Sequence, residues 1–325
     1  MAQIKVAQID PNGLCNSGCW YCPVAYSPNP SIAKKDMSLN LLESILIQLK
    51  EGHGDFVSND FDFIYTAHYN EVLLYKHFEE MLILFRKYGY KTMILSNGIP
   101  LTKDKVDIIK VYQDVVLGIC LNIPAAEPVF WGKLTNMNPK IFDKIVNNIN
   151  YATESLPLMF NNGSISIQVN GIEKESLYEN GGSVSVLENS PVSMDRINHD
   201  YLDYQVNLFK TKFPGINAYK MSGLVDRAGH LDEFKALTNI NYINNQSKNK
   251  KVVGCNNMGS RTESWIHINA NGDMFICCND FDFKTIYGNV NNETISNIWK
   301  SKERSDMISK SYSDLCTTCS SAIWG

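Results

Sequence analysis

The sequence lacks the long apolar segments that cross or enter membranes. No apolar run approaches the roughly 18 residues of a transmembrane helix, and the opening residues carry no apolar stretch of the signal-peptide kind. Runs of basic residues are also missing, and the formal net charge is -4, so no electrostatic footprint for nucleic acid is evident. We therefore expect a cytoplasmic protein with neither a membrane nor a nucleic acid as its partner.

Internal repeats and low-complexity tracts are absent too, which excludes a repeat protein. Apolar residues make up 44% of the 325 residues and charged residues 20%, as is usual for a soluble globular chain. A chain of this length buries a large core, and it forms one large domain with a smaller one, or two domains.

Six strand-like segments alternate with helical segments over the first 221 residues. The predicted strands are Ile4–Asp10, Phe61–Ala67, Tyr90–Ser96, Val115–Asn122, Ser164–Asn170 and Ile216–Met221. The predicted helices are Leu39–Lys50, Leu74–Tyr88, Lys103–Tyr112, Pro139–Ser155 and Met194–Phe213. This alternation favours a parallel sheet with helices outside it, and right-handed crossovers curl such a sheet into an open barrel. We predict an α/β fold, a partial (βα)6 barrel similar to a TIM barrel.

The pattern changes after the sixth predicted strand. Gly, Asp, Asn and Lys concentrate in Gly223–Val253, which we interpret as a linker. We therefore divide the chain into a barrel domain, residues 1–225, and a linker with a small domain, residues 226–325. The predicted elements of the small domain are two strands around an Asn-Gly turn and one helix: Trp265–Ile268, Met274–Cys277 and Ser296–Lys310.

Nine cysteines are many for a cytoplasmic chain, and seven of them fall into two groups. Three lie near the start: Cys15, Cys19 and Cys22. Four lie in the last quarter: Cys255, Cys277, Cys316 and Cys319. In a reducing compartment, clustered cysteines more often bind metal or do chemistry than form disulfides.

The first cysteine group, Cys15-x3-Cys19-x2-Cys22, directly follows the first predicted strand. Thiolates ligate iron–sulfur clusters, and three of them leave one iron of a four-iron cube open. A zinc site would need a fourth ligand, and none is close by. The spacing, with the aromatic Tyr21 before the third cysteine, resembles the signature of the radical S-adenosylmethionine (SAM) superfamily. The resemblance implies a [4Fe–4S] cluster that binds SAM, a 5′-deoxyadenosyl radical, and hydrogen abstraction from a substrate.

The resemblance also implies contacts with SAM after several strands. Ala67-His68-Tyr69-Asn70-Glu71 stands where the family often has Gly-Gly-Glu-Pro, and it keeps the Glu but not the glycines or the proline. Ser96-Asn97-Gly98 matches the family's Ser/Thr-Asn-Gly turn. Each of these residues could instead be an ordinary turn or strand end. The residues implied to bind SAM are Tyr21, His68, Tyr69, Asn70, Glu71, Ser96, Asn97, Asn122, Gln168, Asn170 and Arg227.

The second cysteine group resembles the SPASM/twitch extension of radical SAM enzymes. Gly272-x4-Cys277 follows Cys255 and precedes Cys316-x2-Cys319, and the chain ends six residues later. The resemblance implies the twitch form, with one auxiliary [4Fe–4S] cluster held by these four cysteines. A structural zinc site with the same four ligands is the alternative. We choose Cys277 over Cys278 because it keeps the Gly-x4-Cys spacing and because adjacent side chains on a strand face opposite ways.

The resemblances together imply a radical SAM oxidoreductase or maturase that oxidises, epimerises or crosslinks a peptide or a sugar-like small molecule. A flavodoxin- or ferredoxin-type donor would supply electrons. Peptide maturases often begin with a peptide-binding domain, and there is no room for one before Ile4, which weighs against a peptide. The leftover thiols of Cys278 and Cys120 are candidate hydrogen donors, or small buried apolar groups. The alternative from another class is a non-catalytic zinc or iron–sulfur binding module.

Overall fold

The computed structural model describes residues 2–19, 21–25, 30, 35–171, 199–222, 250–256, 260–319 and 321–325. Its strands are β1 (Val6–Ile9), β2 (Ile64–Tyr65), β3 (Thr92–Ser96), β4 (Val116–Asn122), β5 (Ile165–Gly171), β6 (Asn217–Ser222), β7 (Val252–Cys255), β8 (Trp265–Ile268), β9 (Asp273–Phe275), β10 (Ile286–Asn289) and β11 (Ala322–Trp324). Its helices are α1 (Leu39–Glu51), α2 (Phe78–Tyr88), α3 (Lys103–Val111), α4 (Pro128–Thr135), α5 (Phe142–Ser155), α6 (Pro157–Asn161), α7 (His199–Lys212), α8 (Arg261–Ser264), α9 (Ile295–Lys300) and α10 (Lys302–Ser313).

Strands β1 to β6 run parallel and follow one another in chain order around a partial barrel. β1 pairs with β2, and β3, β4, β5 and β6 pair in succession. A parallel bridge between Phe63 and Lys91 joins the two groups, and the Ile64 N–H donates to the Lys91 carbonyl at 2.9 Å. The predicted partial (βα)6 barrel is therefore confirmed.

Alternation along the strands separates an apolar outer face from a polar inner face. On β5, Ile165, Ile167 and Val169 are fully buried, and α7 packs against β5 and β6. The side chains between them, including Gln168 and Asn170, point to the other side of the sheet because successive strand residues alternate in direction. The inner face of the barrel is therefore lined by side chains that form hydrogen bonds.

Capping residues mark the start of α1 and the end of α2. α1 starts after Ser38, whose hydroxyl accepts a hydrogen bond from the Leu41 N–H at 3.2 Å. The helix buries the stripe Leu42, Ile45, Leu46 and Leu49, and α2 packs beside it. α2 ends at Gly89, whose φ of 78° suits glycine. Local capping thus sets where α1 begins and where α2 ends.

The C-terminal region extends the barrel sheet. β8 pairs in parallel with β1, from Val6 opposite Trp265 to Ile9 opposite Ile268. β9 and β10 then add antiparallel strands, so the five-stranded order is β10-β9-β8-β1-β2. A second antiparallel pair, β7 with β11, places Ala322 opposite Cys255. The hairpin predicted around the Asn-Gly turn is thus the continuation of the barrel beyond β1.

Two predicted elements of this region differ from the structure. The helix predicted over Ser296–Lys310 is two helices, α9 and α10, because Ser301 is extended with φ −71° and ψ 158°. The strand predicted over Met274–Cys277 ends at Phe275, so Cys277 lies in the turn after β9. The argument that Cys277 and Cys278 alternate along a strand therefore does not apply. Within the described parts of the chain, no helix is long and apolar enough to cross a membrane.

Candidate functional site

Cys15, Cys19 and Cys22 lie together in the segment that follows β1. The Cys22 N–H donates to the Cys19 carbonyl at 2.9 Å, which folds the segment into a turn. The Ser17 hydroxyl lies 3.3 Å from the Cys19 sulfur. The three sulfurs are close enough for their charges to interact.

Burial changes the chemistry of these thiols. It raises the pKa of Cys15 to about 12, and the pKa of Cys19 is raised by the same loss of solvent. Ligation requires the thiolate, and bound metal supplies the positive charge that a buried thiolate needs. Cys15, Cys19 and Cys22 are thus soft donors in a partly buried turn, and they fit an iron–sulfur cluster.

The segment after β2 is tied to this cysteine turn. The Glu71 N–H donates to the Leu14 carbonyl at 2.7 Å, and the Asn12 amide donates to the Glu71 carbonyl at 3.2 Å. The Asn70 amide donates to Asn12 Oδ1 at 3.1 Å. Asn70 and Glu71 therefore lie beside the predicted cluster, although the segment has neither the glycines nor the proline of the family pattern.

The Glu71 carboxyl group organises the turn after β3. It accepts hydrogen bonds from the Asn97 N–H at 2.8 Å and from the Ser96 hydroxyl at 3.1 Å. Asn97 in turn donates through its amide to Asn16 Oδ1 at 2.7 Å, inside the cysteine turn. Three residues that the sequence predicted to bind SAM, Glu71, Ser96 and Asn97, are thus joined by hydrogen bonds.

A chain of hydrogen bonds crosses the inner face of the barrel from Tyr21. The Tyr21 hydroxyl and the Asn170 amide both donate to Asn122 Oδ1, at 2.8 and 2.5 Å. Gln168 donates to Asn170 Oδ1 at 2.9 Å, and Tyr219 donates to Gln168 Oε1 at 3.2 Å. The strand ends are therefore linked to the residue that precedes the third cysteine.

Cys120 stands at the far end of this chain. Its sulfur lies 3.4 Å from the Tyr219 hydroxyl oxygen, and the residue is almost fully buried. Burial and the neighbouring Cys120 raise the pKa of Tyr219 to about 12. Cys120 therefore faces the barrel interior, as expected from its strand.

His68 and Tyr69 face the C-terminal region. His68 Nδ1 lies 3.1 Å from Asp10 Oδ2, and its Nε2 lies 2.5 Å from the Cys278 carbonyl oxygen. The ring of Tyr69 packs edge-on against Phe281, with ring centres 5.0 Å apart. Both nitrogens of His68 thus have partners within the protein.

The four cysteines of the second group converge from distant parts of the chain. Cys255 ends β7, Cys277 follows β9, and Cys316 and Cys319 follow α10. The charges of Cys255 and Cys319 act on both Cys277 and Cys316. Burial raises the pKa of Cys277 to about 12, and burial raises the pKa of Cys316 as well. Cys278 is also buried, in the surrounding apolar core.

Three N–H groups point at the sulfurs of this second group. The Asn279 backbone N–H donates to Cys277 at 3.4 Å, and its side-chain amide donates to Cys319 at 3.6 Å. The Ser321 N–H donates to Cys319 at 3.4 Å. Such donors stabilise thiolate sulfur and tune cluster potentials. Among the described residues no three His, Cys, Asp or Glu side chains are grouped tightly enough for a single metal ion, so the fit to a cluster rests on four thiols and their N–H donors.

Two residues were not singled out from the sequence. Asp10 is a buried polar residue just after β1, and Tyr219 lies on β6. Their contacts join residues 58 and 99 positions apart in the chain, so only polar residues at strand ends could have indicated them. Arg227 lies outside the described residues.

Comparisons with known proteins identify the class. The radical SAM superfamily profile matches residues 9–175, just over half of the chain, and the SPASM profile, an iron–sulfur cluster-binding domain, matches residues 255–320. The chain therefore belongs to the radical SAM superfamily and carries a SPASM region. Members of the superfamily are enzymes, and the two regions imply SAM and iron–sulfur clusters as cofactors.

Solved structures share this fold at low sequence identity. BtrN in complex with AdoMet and 2-DOIA is 17% identical, with 98% of this chain and 94% of that chain covered and a TM-score of 0.58. SuiB from Streptococcus suis, bound to the precursor peptide SuiA, is 14% identical, with 98% and 70% covered and a TM-score of 0.59. anSMEcpe with bound AdoMet and Cp18Cys peptide is 13% identical, with 94% and 83% covered and a TM-score of 0.55. A comparison with curated proteins gives no match.

Proposed function

We propose that this chain is a radical SAM oxidoreductase or maturase that acts on a peptide or a sugar-like small molecule. The proposal rests on one observation: the three cysteines lie beside Glu71 at the carboxyl ends of the barrel strands. In the proposed enzyme one [4Fe–4S] cluster is held by Cys15, Cys19 and Cys22, and one auxiliary [4Fe–4S] cluster by Cys255, Cys277, Cys316 and Cys319. When bound, SAM and the first cluster supply the 5′-deoxyadenosyl radical that removes a hydrogen atom, with electrons from a flavodoxin- or ferredoxin-type donor.

The residues around Glu71 have the proposed task of positioning SAM. Glu71 fixes the Asn97 N–H and the Ser96 hydroxyl, so the turn after β3 is rigid before a ligand arrives. Asn122 Oδ1 already accepts two hydrogen bonds, so we assign its N–H groups the contact with SAM. The other proposed contacts come from Tyr21, Tyr69, Asn70, Gln168 and Asn170.

The barrel interior suits a neutral substrate that forms hydrogen bonds. The carboxamides of Gln168 and Asn170, which border the proposed SAM position, also line the adjoining space for the substrate, and a carboxamide binds a peptide group or a sugar hydroxyl equally well. Among the structural neighbours, SuiB is bound to a precursor peptide and BtrN is in complex with 2-DOIA. We therefore propose either a peptide or a sugar-like small molecule as the substrate.

The fate of the substrate radical depends on a thiol or on the auxiliary cluster. We assign Cys120 as the hydrogen donor for an epimerisation because its sulfur faces the barrel interior beside Tyr219, whereas Cys278 is buried in the apolar core around the second cysteine group. The S–H bond breaks, a C–H bond forms on the substrate, and the electron donor with one proton restores the thiol.

Deuterated water separates epimerisation from oxidation. We expect an inverted product that carries one solvent deuterium, lost with Cys120→Ala and kept with Cys278→Ala, as measured by mass spectrometry. An oxidised product that is lighter by two hydrogen atoms, formed equally by both variants, would remove the donor role of Cys120 and leave the auxiliary cluster as electron acceptor.

Iron and sulfide counts test the two cluster sites. After anaerobic reconstitution we expect about eight irons and about eight sulfides per chain, with about four lost on replacing either cysteine group by alanine. Cys120→Ala and Cys278→Ala are the matched controls and keep the full count. Tightly bound zinc without sulfide at the second group would instead support the structural zinc alternative.

A further inference from the structure

His68 connects the segment after β2 with the turn that carries Cys277. Its Nε2 lies 2.5 Å from the carbonyl oxygen of Cys278, a residue 210 positions away in the chain. A carbonyl oxygen only accepts hydrogen bonds, so Nε2 carries a hydrogen and donates it. The other ring nitrogen, Nδ1, lies 3.1 Å from Asp10 Oδ2, just beyond β1, and with a hydrogen on Nδ1 this contact is an ion pair. One side chain thus contacts three separate segments.

The ring is held in place by aromatic neighbours. Its centre lies 4.1 Å from that of Tyr69, 5.6 Å from that of Phe275 and 5.9 Å from that of Phe283. Its side chain is 4% exposed. A buried ring with both nitrogens engaged has one permitted orientation, because any rotation would leave a polar atom without a partner. His68 is therefore a rigid link.

This link lies between the two proposed cofactor sites. Asn70 lies two positions after His68, and its Oδ1 accepts a hydrogen bond from the His68 N–H at 2.7 Å. Glu71 follows Asn70 in the chain. On the other side, Cys278 is bonded to Cys277, and the next residue, Asn279, donates to the sulfurs of two cysteines. A glycine, as in the family pattern, would have no side chain to make this connection.

We infer that His68 is a positioning residue that fixes the cysteine turn of the auxiliary site against the SAM-binding segment. The inference rests on the proposed function, which assigns the two cofactor sites. The contacts of His68 themselves do not depend on that assignment. Its consequence is that His68 adds a side-chain restraint to the β1–β8 pairing that brings the two sites together, so that their separation is held in fixed geometry.

Two variants separate the polar contacts of His68 from its packing. His68→Phe keeps a ring among Tyr69, Phe275 and Phe283 and removes both hydrogen bonds. His68→Gln keeps an amide N–H that can reach the Cys278 carbonyl. His53→Phe is the matched control, because His53 also packs against aromatic rings, 6.2 Å from Phe61 and 6.4 Å from Tyr90.

The measurement is hydrogen–deuterium exchange of the anaerobic, cluster-loaded protein, with the electron paramagnetic resonance spectrum of the reduced auxiliary cluster beside it. For His68→Phe we expect exchange in residues 276–281 to rise about tenfold, as the loss of one or two buried hydrogen bonds predicts, with a changed auxiliary spectrum. We expect residues of β3 to β6 to keep their protection in His68→Phe. In His68→Gln, residues 276–281 should keep most of their wild-type protection, and in His53→Phe their exchange should equal that of the wild type.

Unchanged exchange in residues 276–281 would overturn the inference, and so would an equal rise over β3 to β6, since that is general destabilisation. Failure of His68→Gln to recover protection would also overturn it. The iron count of the unmodified protein separately decides the proposed function, so failure of one proposal is distinguishable from failure of the other.

Discussion

At the scale of single residues, Glu71 is a buried carboxyl group whose surroundings alter its chemistry. It is 2% exposed, and loss of solvent raises its pKa to about 7, against the opposing effect of hydrogen bonds from Asn97 and Leu73. In the unfolded chain the same group ionises with its ordinary pKa of 4.5. Between these two values the unfolded state binds fewer protons than the folded state, so stability falls as pH rises.

Glu71→Gln removes this pH dependence because an amide does not ionise. Between about pH 5.5 and about pH 7.5 we expect the wild type to lose about 2 kcal/mol of unfolding free energy relative to the variant. Denaturant unfolding of the anaerobic protein measures it. Glu79→Gln, at an exposed position of α2, serves as the control and behaves like the wild type. Parallel pH profiles for Glu71→Gln and wild type would contradict the assigned environment.

The residues that could be predicted from the sequence are those whose partners are near in the chain. Cys15, Cys19 and Cys22 carry a local spacing, so a shared role as cluster ligands could be proposed from the sequence. The link between Asn122 and Asn170 depends instead on the pairing of β4 with β5, which puts Asn122 opposite Gln168. His68 was predicted from its segment to contact SAM, and no local pattern indicated its partner Cys278. Contacts between distant segments are set by tertiary packing, which a short motif does not encode.

At the scale of elements, Ser301 separates α9 from α10. Its hydroxyl accepts a hydrogen bond from the Arg304 N–H at 3.1 Å, as a helix N-cap does. The guanidinium of Arg304 then lies over the Trp299 ring at 3.6 Å and donates to the Thr262 carbonyl at 2.8 Å. The sequence predicted one helix over this region, whereas the extended Ser301 ends one helix and caps the next.

Ser301→Ala leaves the first N–H groups of α10 without a side-chain partner. We expect a loss of about 1 kcal/mol of unfolding free energy, the usual cost of removing an N-cap. Thermal unfolding followed by circular dichroism measures it. Ser309→Ala, at an exposed position within α10, is neutral or slightly stabilising because alanine favours helix. Equal effects of the two substitutions would show that Ser301 is not a cap.

At the scale of the whole molecule, strands β8 to β10 of the C-terminal region lie in the same five-stranded sheet as β1 and β2. The alternating strands and helices were sufficient to predict the barrel, because each βα unit is local in sequence. The pairing of β1 with β8 was not predictable, since 259 positions separate Val6 from Trp265. This pairing is what places the second cysteine group near the carboxyl end of β1, within reach of His68 and the segment after β2.

The most direct test of the proposed function is the release of 5′-deoxyadenosine from SAM. The reconstituted, chemically reduced protein is incubated with SAM without oxygen, and the product is quantified by liquid chromatography. We expect release by the wild type and none by the variant with alanine at Cys15, Cys19 and Cys22, which stays folded by circular dichroism because the barrel core does not depend on these thiols. Release by this variant at the wild-type rate, or none by an iron-loaded wild type, would contradict the proposed function.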